Sequence, residues 1–254
     1  ASLKAPDPLE RAAAVRYFAG TPGAAELVTP LLQDPARLVR LDAAWELSPQ
    51  LPADSPARKE LDDYLALSLD QPSGRLRLGQ DFANRGDLAG AEREMALAAQ
   101  WDPFSAPIRD AHGMVLAALG RSAAAGAELY RAAELAGSRG GPSAMRAGLA
   151  FAEANRVTEA ENSFRLAVRC DPKLDRAWYN LGLLLAQHER LPEAAEALRQ
   201  AEAVAPATAD YPYALATVLL RTGDRDGARI AAQRVLKLDP ANAGARQVLR
   251  AAGP

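Results

Sequence analysis

Trp178-Tyr179-Asn180-Leu181-Gly182-Leu183-Leu184-Leu185, followed by Ala194, Leu198, Ala201 and Pro206, is the stretch on which the fold turns. Offsets of three and four put Leu181, Gly182 and Leu185 on one face of a first helix, and Ala194, Leu198 and Ala201 on one face of a second. Gly182 and Ala194 lack bulk, so the two backbones can approach closely while Leu185 and Leu198 fill the flanking space. Pro206 stops the second helix and starts the next turn.

The pattern recurs in both directions. Ala91, Ala125, Ala160, Ala194 and Ala228 follow one another at intervals of 34, 35, 34 and 34 residues. Gly79, Gly113, Gly148 and Gly182 keep the same time, with Ala216 in the fifth place. Pro103, Pro172, Pro206 and Pro240 close four units, and Gly137 stands where the remaining proline is missing. A repeat of this length means stacked helical hairpins, none of which buries its apolar face alone. In register the units are 72–105, 106–139, 141–174, 175–208 and 209–242, with Phe82/Met95, Leu116/Leu129, Phe151/Phe164 and Leu219/Ala232 repeating the Leu185/Leu198 pair. From Ala243 an incomplete hairpin begins. Arg246 and Arg250 beside Val248 and Leu249 predict a capping helix over 243–254 with one wet face.

This spacing resembles the tetratricopeptide repeat family over residues 72–242. The resemblance implies an all-α fold, a right-handed α-α superhelix of antiparallel hairpins. It also implies a concave groove, lined by the first helix of each hairpin, where extended peptides or partner helices lie. The lining positions it assigns are Arg77, Gln80 and Asn84, then Asp110 and Met114, then Met145, Arg146 and Leu149. Arg176, Tyr179, Asn180 and Leu183 follow, and then Tyr213 and Thr217. Tyr179 and Tyr213 lie one repeat apart, on adjacent rungs, where they serve either recognition or packing between rungs. Arg146 and Arg176 have the donors to clamp a carboxylate. Leu76 and Gln80 stand where chaperone-tail receptors of the family carry lysine and asparagine, which argues against that role. The run Gly137-Ser138-Arg139-Gly140-Gly141 carries the one extra residue and weakens helix propagation, so it is either a looser joint or a long turn.

Before Pro72 the period is different. Asp7-Pro8, Asp34-Pro35 and Ser55-Pro56 each read as an N-cap with proline at the first helical position. Helices are predicted near 7–19, 22–33, 34–48 and 55–70. Arg11, Ala14, Val15 and Phe18 match Arg40, Ala43, Ala44 and Leu47 at an offset of 29, which resembles a short HEAT-type repeat in the segment 1–71. HEAT-type hairpins before tetratricopeptide hairpins also resemble the carboxy-terminal region of bacterial multihaem cytochrome c proteins. Asp34-Pro35, Val39-Arg40, Ala43-Ala44, Leu78-Gly79, Gly86 and Asp102-Pro103-Phe104 carry that likeness. It implies an extracytoplasmic (periplasmic) location, with the cytoplasm as the alternative. Cys170 is followed by Asp171 and Pro172, not by a second cysteine and histidine, so no covalent haem and no other cofactor are expected.

The remaining chemistry is sparse. His112, His188 and Cys170 are the only histidines and cysteine in 254 residues, and none has a neighbour at metal-ligand spacing. His112 sits where Leu78, Leu181 and Leu215 stand in other units, as a core histidine or as a proton switch or ligand. Glycines fall at crossings and turns, not in a phosphate loop. A net charge of −2 from 30 basic and 32 acidic residues leaves no footprint for nucleic acid, and no apolar run reaches the ~18–20 residues that span a bilayer. The chain lacks an initiator Met, so an excised piece of a longer protein is one expectation. The expected function is a non-enzymatic scaffold that binds another protein or a peptide. A docking region of a multihaem oxidoreductase and a self-associating scaffold (a homo-oligomer) are the alternatives.

Overall fold

The computed structural model describes residues 2–253; Ala1 and Pro254, which begin and end the predicted terminal segments, lie outside the described residues. The fold is all-α, of the α-α superhelix class, and the described residues contain no strand. They form two compact units, one up to Leu119 and one from Gly120. The first holds α1 (Pro8–Phe18), α2 (Ala24–Val28), α3 (Arg37–Glu46), α4 (Pro56–Ala66), α5 (Pro72–Asn84), α6 (Leu88–Trp101) and α7 (Ala106–Ala118). The second holds α8 (Ser122–Ala136), α9 (Gly141–Glu153), α10 (Val157–Cys170), α11 (Asp175–Gln187) and α12 (Leu191–Val204). It continues through α13 (Asp210–Thr222) and α14 (Arg225–Leu238) to α15 (Ala243–Ala252).

Within each unit, α5/α6, α9/α10, α11/α12 and α13/α14 pack as hairpins. Their crossings are built as the small residues require. A Cβ on Gly79 would lie 2.8 Å from Met95 Cγ, and one on Gly182 would lie 2.7 Å from Leu198 Cγ. One on Gly148 would lie 2.5 Å from Phe164 Cε1, with two more ring atoms within 3 Å. Met95, Phe164 and Leu198 are all fully buried, so each second helix presses its largest core side chain against a bare stretch of the first. The turn inside each hairpin passes through one left-handed residue: Gly86, Gly120, Asn155, Glu189 and Gly223, with φ of 82°, 72°, 56°, 58° and 84°. These positions keep the repeat's own intervals. Two are not glycine, and Glu189 bears a conformation that costs an L-residue about 1 kcal/mol or more.

The amino-terminal segment departs from its predicted outline in two places. The helix expected over 22–33 is α2 followed by a 3-10 turn, Thr29–Gln33, because Pro30 cannot continue an α-helix. Asp34 does not cap α3, whose N-cap is Ala36. Its carboxylate is instead taken by Arg11, with Nε–Oδ2 2.7 Å and Nη2–Oδ1 2.8 Å, and by the Ala36 N–H. Asp7 and Ser55 do cap, accepting from the N–H groups of Leu9 and Arg58.

Arg11 and Arg40, matched at the offset of 29, make the same set of bonds. Arg11 donates to the carbonyls of Ala5 and Pro6 and to Asp34; Arg40 donates to the carbonyls of Asp34 and Pro35 and, twice at 2.8 Å, to Glu60. The guanidinium hydrogen bond holds the Asp34 carboxyl below its ordinary range despite burial. The bond to a carbonyl six residues back recurs in the repeats. Arg109 reaches Pro103 O at 2.8 Å, Trp178 Nε1 reaches Pro172 O at 3.0 Å and Arg246 reaches Pro240 O at 2.6 Å.

A buried ion cluster joins α4 to α5. Arg58 donates from both Nη atoms to Asp81, at 2.9 and 3.0 Å, while Ser48 Oγ donates to the same carboxylate and Arg85 pairs with it at 3.0 Å. Burial alone would raise the Asp81 carboxyl, but the bonds from Arg58 and Ser48 outweigh it and keep it ionised. The Gly137–Gly141 run is no break in packing: it forms a 3-10 turn over Gly137–Arg139, and a Cβ on Gly141 would lie 2.9 Å from Leu174. The division between the compact units falls earlier, after Leu119.

The crossings give a direct test. Gly148→Ala gains about 1 kcal/mol of helix propensity, but overpacking against a ring that cannot withdraw costs about 1–3 kcal/mol. Chemical denaturation is expected to show a net loss of stability, and a gain would refute the crossing described here.

Candidate binding surface on the first helices

The residues assigned to a groove fall on α5 and α7 in the first unit and on α9, α11 and α13 in the second. In the first unit, Asn84 and Met114 are exposed and Gln80 is half-buried. Arg77 is committed locally: its Nη1 donates to Tyr64 Oη at 2.8 Å and its guanidinium lies over that ring.

The second unit carries the larger set. On α11, Arg176, Tyr179, Asn180 and Leu183 follow at steps of three, one and three, which places them on one face. Arg176 is exposed, and Tyr179, Asn180 and Leu183 are half-buried. On α9, Leu149 is exposed, while Arg146 is half-buried and donates to Ser143 Oγ at 3.3 Å. Met145, Tyr179 and Leu183 border the same apolar core. On α13, the Thr217 hydroxyl donates to the Tyr213 carbonyl at 3.0 Å.

The tyrosines pack from one rung to the next. Tyr179 lies against Tyr211 at the start of α13, with ring centroids 5.1 Å apart. Tyr213, one repeat later, lies against the start of α15, where a Cβ on Gly244 would come within 2.5 Å of its hydroxyl. Both rings thus also contact the start of the next helix in the stack, although Tyr213 stays exposed.

Sequence reasoning missed Tyr211 and Asp175. Tyr211 is buried, and its hydroxyl donates to the Asp175 carboxylate, tying α13 to the first turn of α11. The signal was present, since Asp175 opens one repeat and Tyr211 lies in the first turn of the first helix of the next. On the far side, Arg190 links α10 to α12 by donating to Glu161 at 2.6 Å and to Glu193 at 2.7 Å, and Arg165 pairs with both carboxylates. The two histidines stay apart in different elements: His112 is buried on α7, and His188 is exposed just past α11. Cys170 donates weakly to the Gly137 carbonyl at 3.3 Å. Among the described residues no three His, Cys, Asp or Glu side chains are gathered to hold a metal ion. No helix there is long and apolar enough to cross a membrane.

The helical hairpins and their left-handed turns define a protein of the helical-repeat class. Residues 145–212 match one tetratricopeptide repeat family model and residues 209–242 match another, so the chain carries tetratricopeptide repeats there. No curated protein matches it. Among solved structures it is similar to the C-terminal part of a TPR repeat-containing protein from Cytophaga hutchinsonii, at 16% identity and a TM-score of 0.66 over 94% of this chain and 98% of that one. It is similar to YrrB, described as a TPR protein with an unusual peptide-binding site, at 15% identity and a TM-score of 0.62 over 74% and 97%. It is also similar to MamA from Desulfovibrio magneticus RS-1, at 22% identity and a TM-score of 0.56 over 68% and 98%. These likenesses show the fold.

The Tyr211–Asp175 bond predicts an alkaline signature. Burial, then the bond to Asp175 and its charge, push the Tyr211 hydroxyl from 10 up to about 12. The folded chain therefore keeps a proton that the unfolded chain releases, and stability falls as pH rises through that window. Thermal melts from pH 9 to 12 are expected to show a smaller alkaline loss in Tyr211→Phe than in the unmodified protein; equal losses would contradict the bond.

Proposed function

We propose that the protein is a non-enzymatic interaction scaffold that receives a peptide or partner helix on the face of α9, α11 and α13. The observation that carries this reading is the α11 face: Arg176 exposed, Asn180 half-buried one turn on, and an apolar floor of Tyr179 and Leu183 bordering the core. An arginine and an amide above an apolar floor suit a peptide. Arg176 supplies charge-assisted donors for a carboxylate, and Asn180 supplies a donor and an acceptor for backbone. Arg146 and Leu149 on α9 extend the same chemistry toward the preceding repeat. The tetratricopeptide repeats of residues 145–242 support the reading, because the three helices are first helices of those repeats. In the amino-terminal segment, the matching bonds of Arg11 and Arg40 support a HEAT-type hairpin stack.

The test begins with a phage-displayed library of random peptides panned on the whole chain. Losing a charge-assisted hydrogen bond costs about 1.5–3 kcal/mol, roughly tenfold or more in affinity. Selected peptides are expected to bind Arg176→Ala/Asn180→Ala at least about tenfold more weakly, with an unchanged melting temperature. Equal binding to the double variant would refute the assigned face.

A further inference from the structure

The first unit holds a cavity of about 400 Å³ among α1, α3, α4 and α5, away from the face assigned above. Its walls are apolar and aromatic: Leu38, Leu41 and Trp45 of α3, with Leu61 and Tyr64 of α4. A few polar groups break them, and Asp42 is the one whose chemistry is incomplete. Its Oδ2 is buried and accepts no hydrogen bond. The nearest cation, Arg16 Nη1, stands 3.5 Å away on a side chain that is 61% exposed. We propose that this cavity binds an alkylammonium group, with its hydrocarbon on Leu38, Leu41, Trp45 and Tyr64 and its charge beside the Asp42 carboxylate.

The size and lining are those of a small-ligand site, a concave apolar chamber with few polar groups. Buried polar atoms in native proteins have hydrogen-bond partners, so a buried Oδ2 without one at a cavity wall marks the place for a donor that arrives from outside. Burial raises the Asp42 carboxyl, against the weaker opposing pull of Arg16, as expected for a carboxylate short of partners. The other charges lining the cavity leave it that role. Arg77 is held by the Tyr64 hydroxyl, and Glu46, one turn beyond Asp42, already accepts the Gly20 N–H at 2.8 Å. Trp45 lines the same chamber, and an aromatic wall favours a cation over a neutral head group. An anion would bring a like charge beside Asp42, and an alcohol would donate one hydrogen bond to it without balancing its charge. The ammonium can come from a lysine side chain of a docked peptide or from a free amphiphilic amine.

The test titrates the unmodified chain with hexylammonium, hexanol and hexanoate, following the tryptophan indole N–H resonances by NMR. Hexylammonium is expected to shift the Trp45 resonance and to bind at least about tenfold more tightly than the other two, the scale of one charge-assisted bond. In Asp42→Asn that preference is expected to vanish while hexanol binding persists, which also reports an intact cavity. Capped lysine amide distinguishes the sources: binding at least as tight as hexylammonium assigns a peptide lysine, and weaker binding assigns a free amine. Equal binding of hexanol or hexanoate to the unmodified chain would overturn the proposal even if the variant fails to fold. So would no Trp45 shift with hexylammonium, or a preference retained in Asp42→Asn.

Discussion

The contact between a bare first helix and a large buried side chain of the second is what the rest of the structure depends on. Where Gly148 meets Phe164, and Gly182 meets Leu198, there is no space for even one more carbon. Close-packed interiors tolerate neither a void nor an excess at such a point, so the approach of the two axes is set by these pairs. Repeating that spacing fixes which residues of each hairpin turn toward the next. The ion clusters come second. Arg190 between Glu161 and Glu193 is partly solvated and, like most pairs in contact with water, adds little. The buried Arg58–Asp81 pair is more a constraint than a source of stability, since removing one partner would strand the other.

The helix α11 serves two neighbours, and α7, α13 and α15 share one or other of its contacts. Trp178, Arg109 and Arg246 reach back to the proline carbonyl that ends the unit before, satisfying a backbone acceptor left free where a helix has stopped. Tyr179 and Tyr213 reach forward and cover the start of the next first helix. The tasks share one helix without conflict because 3.6 residues per turn separate the faces. On α11, Arg176 is exposed and Asn180 lies half-buried one turn on, beside the rings that do this packing. The recognition face proposed above is centred on that pair.

The repeats were legible because their constraint is local and steric. Small residues at a fixed interval need no tertiary knowledge to interpret, and they point to the all-α fold that the described residues adopt. The left-handed turn series through Asn155 and Glu189 was present at the same interval but hidden, since neither residue announces a positive φ. Asp34 was misread because Asp-Pro is a genuine N-cap signal. Only the fold shows Arg11, 23 residues away, competing for the same carboxylate. The role of Tyr213 in packing was likewise out of reach, depending on Gly244 being small enough to admit the ring. The cavity around Asp42 draws on four helices with no shared motif, so no sequence pattern could have pointed to it.

A double-mutant cycle at one crossing tests the central claim most directly. Gly182→Ala, Leu198→Ala and the double variant are compared by chemical denaturation with the unmodified protein. If the Cβ and the leucine compete for the same space, the truncation makes room and the double variant is more stable than the sum of the singles, by about 0.5–3 kcal/mol. Strict additivity would mean that the two helices do not meet through these residues, and the account of the repeat would fail.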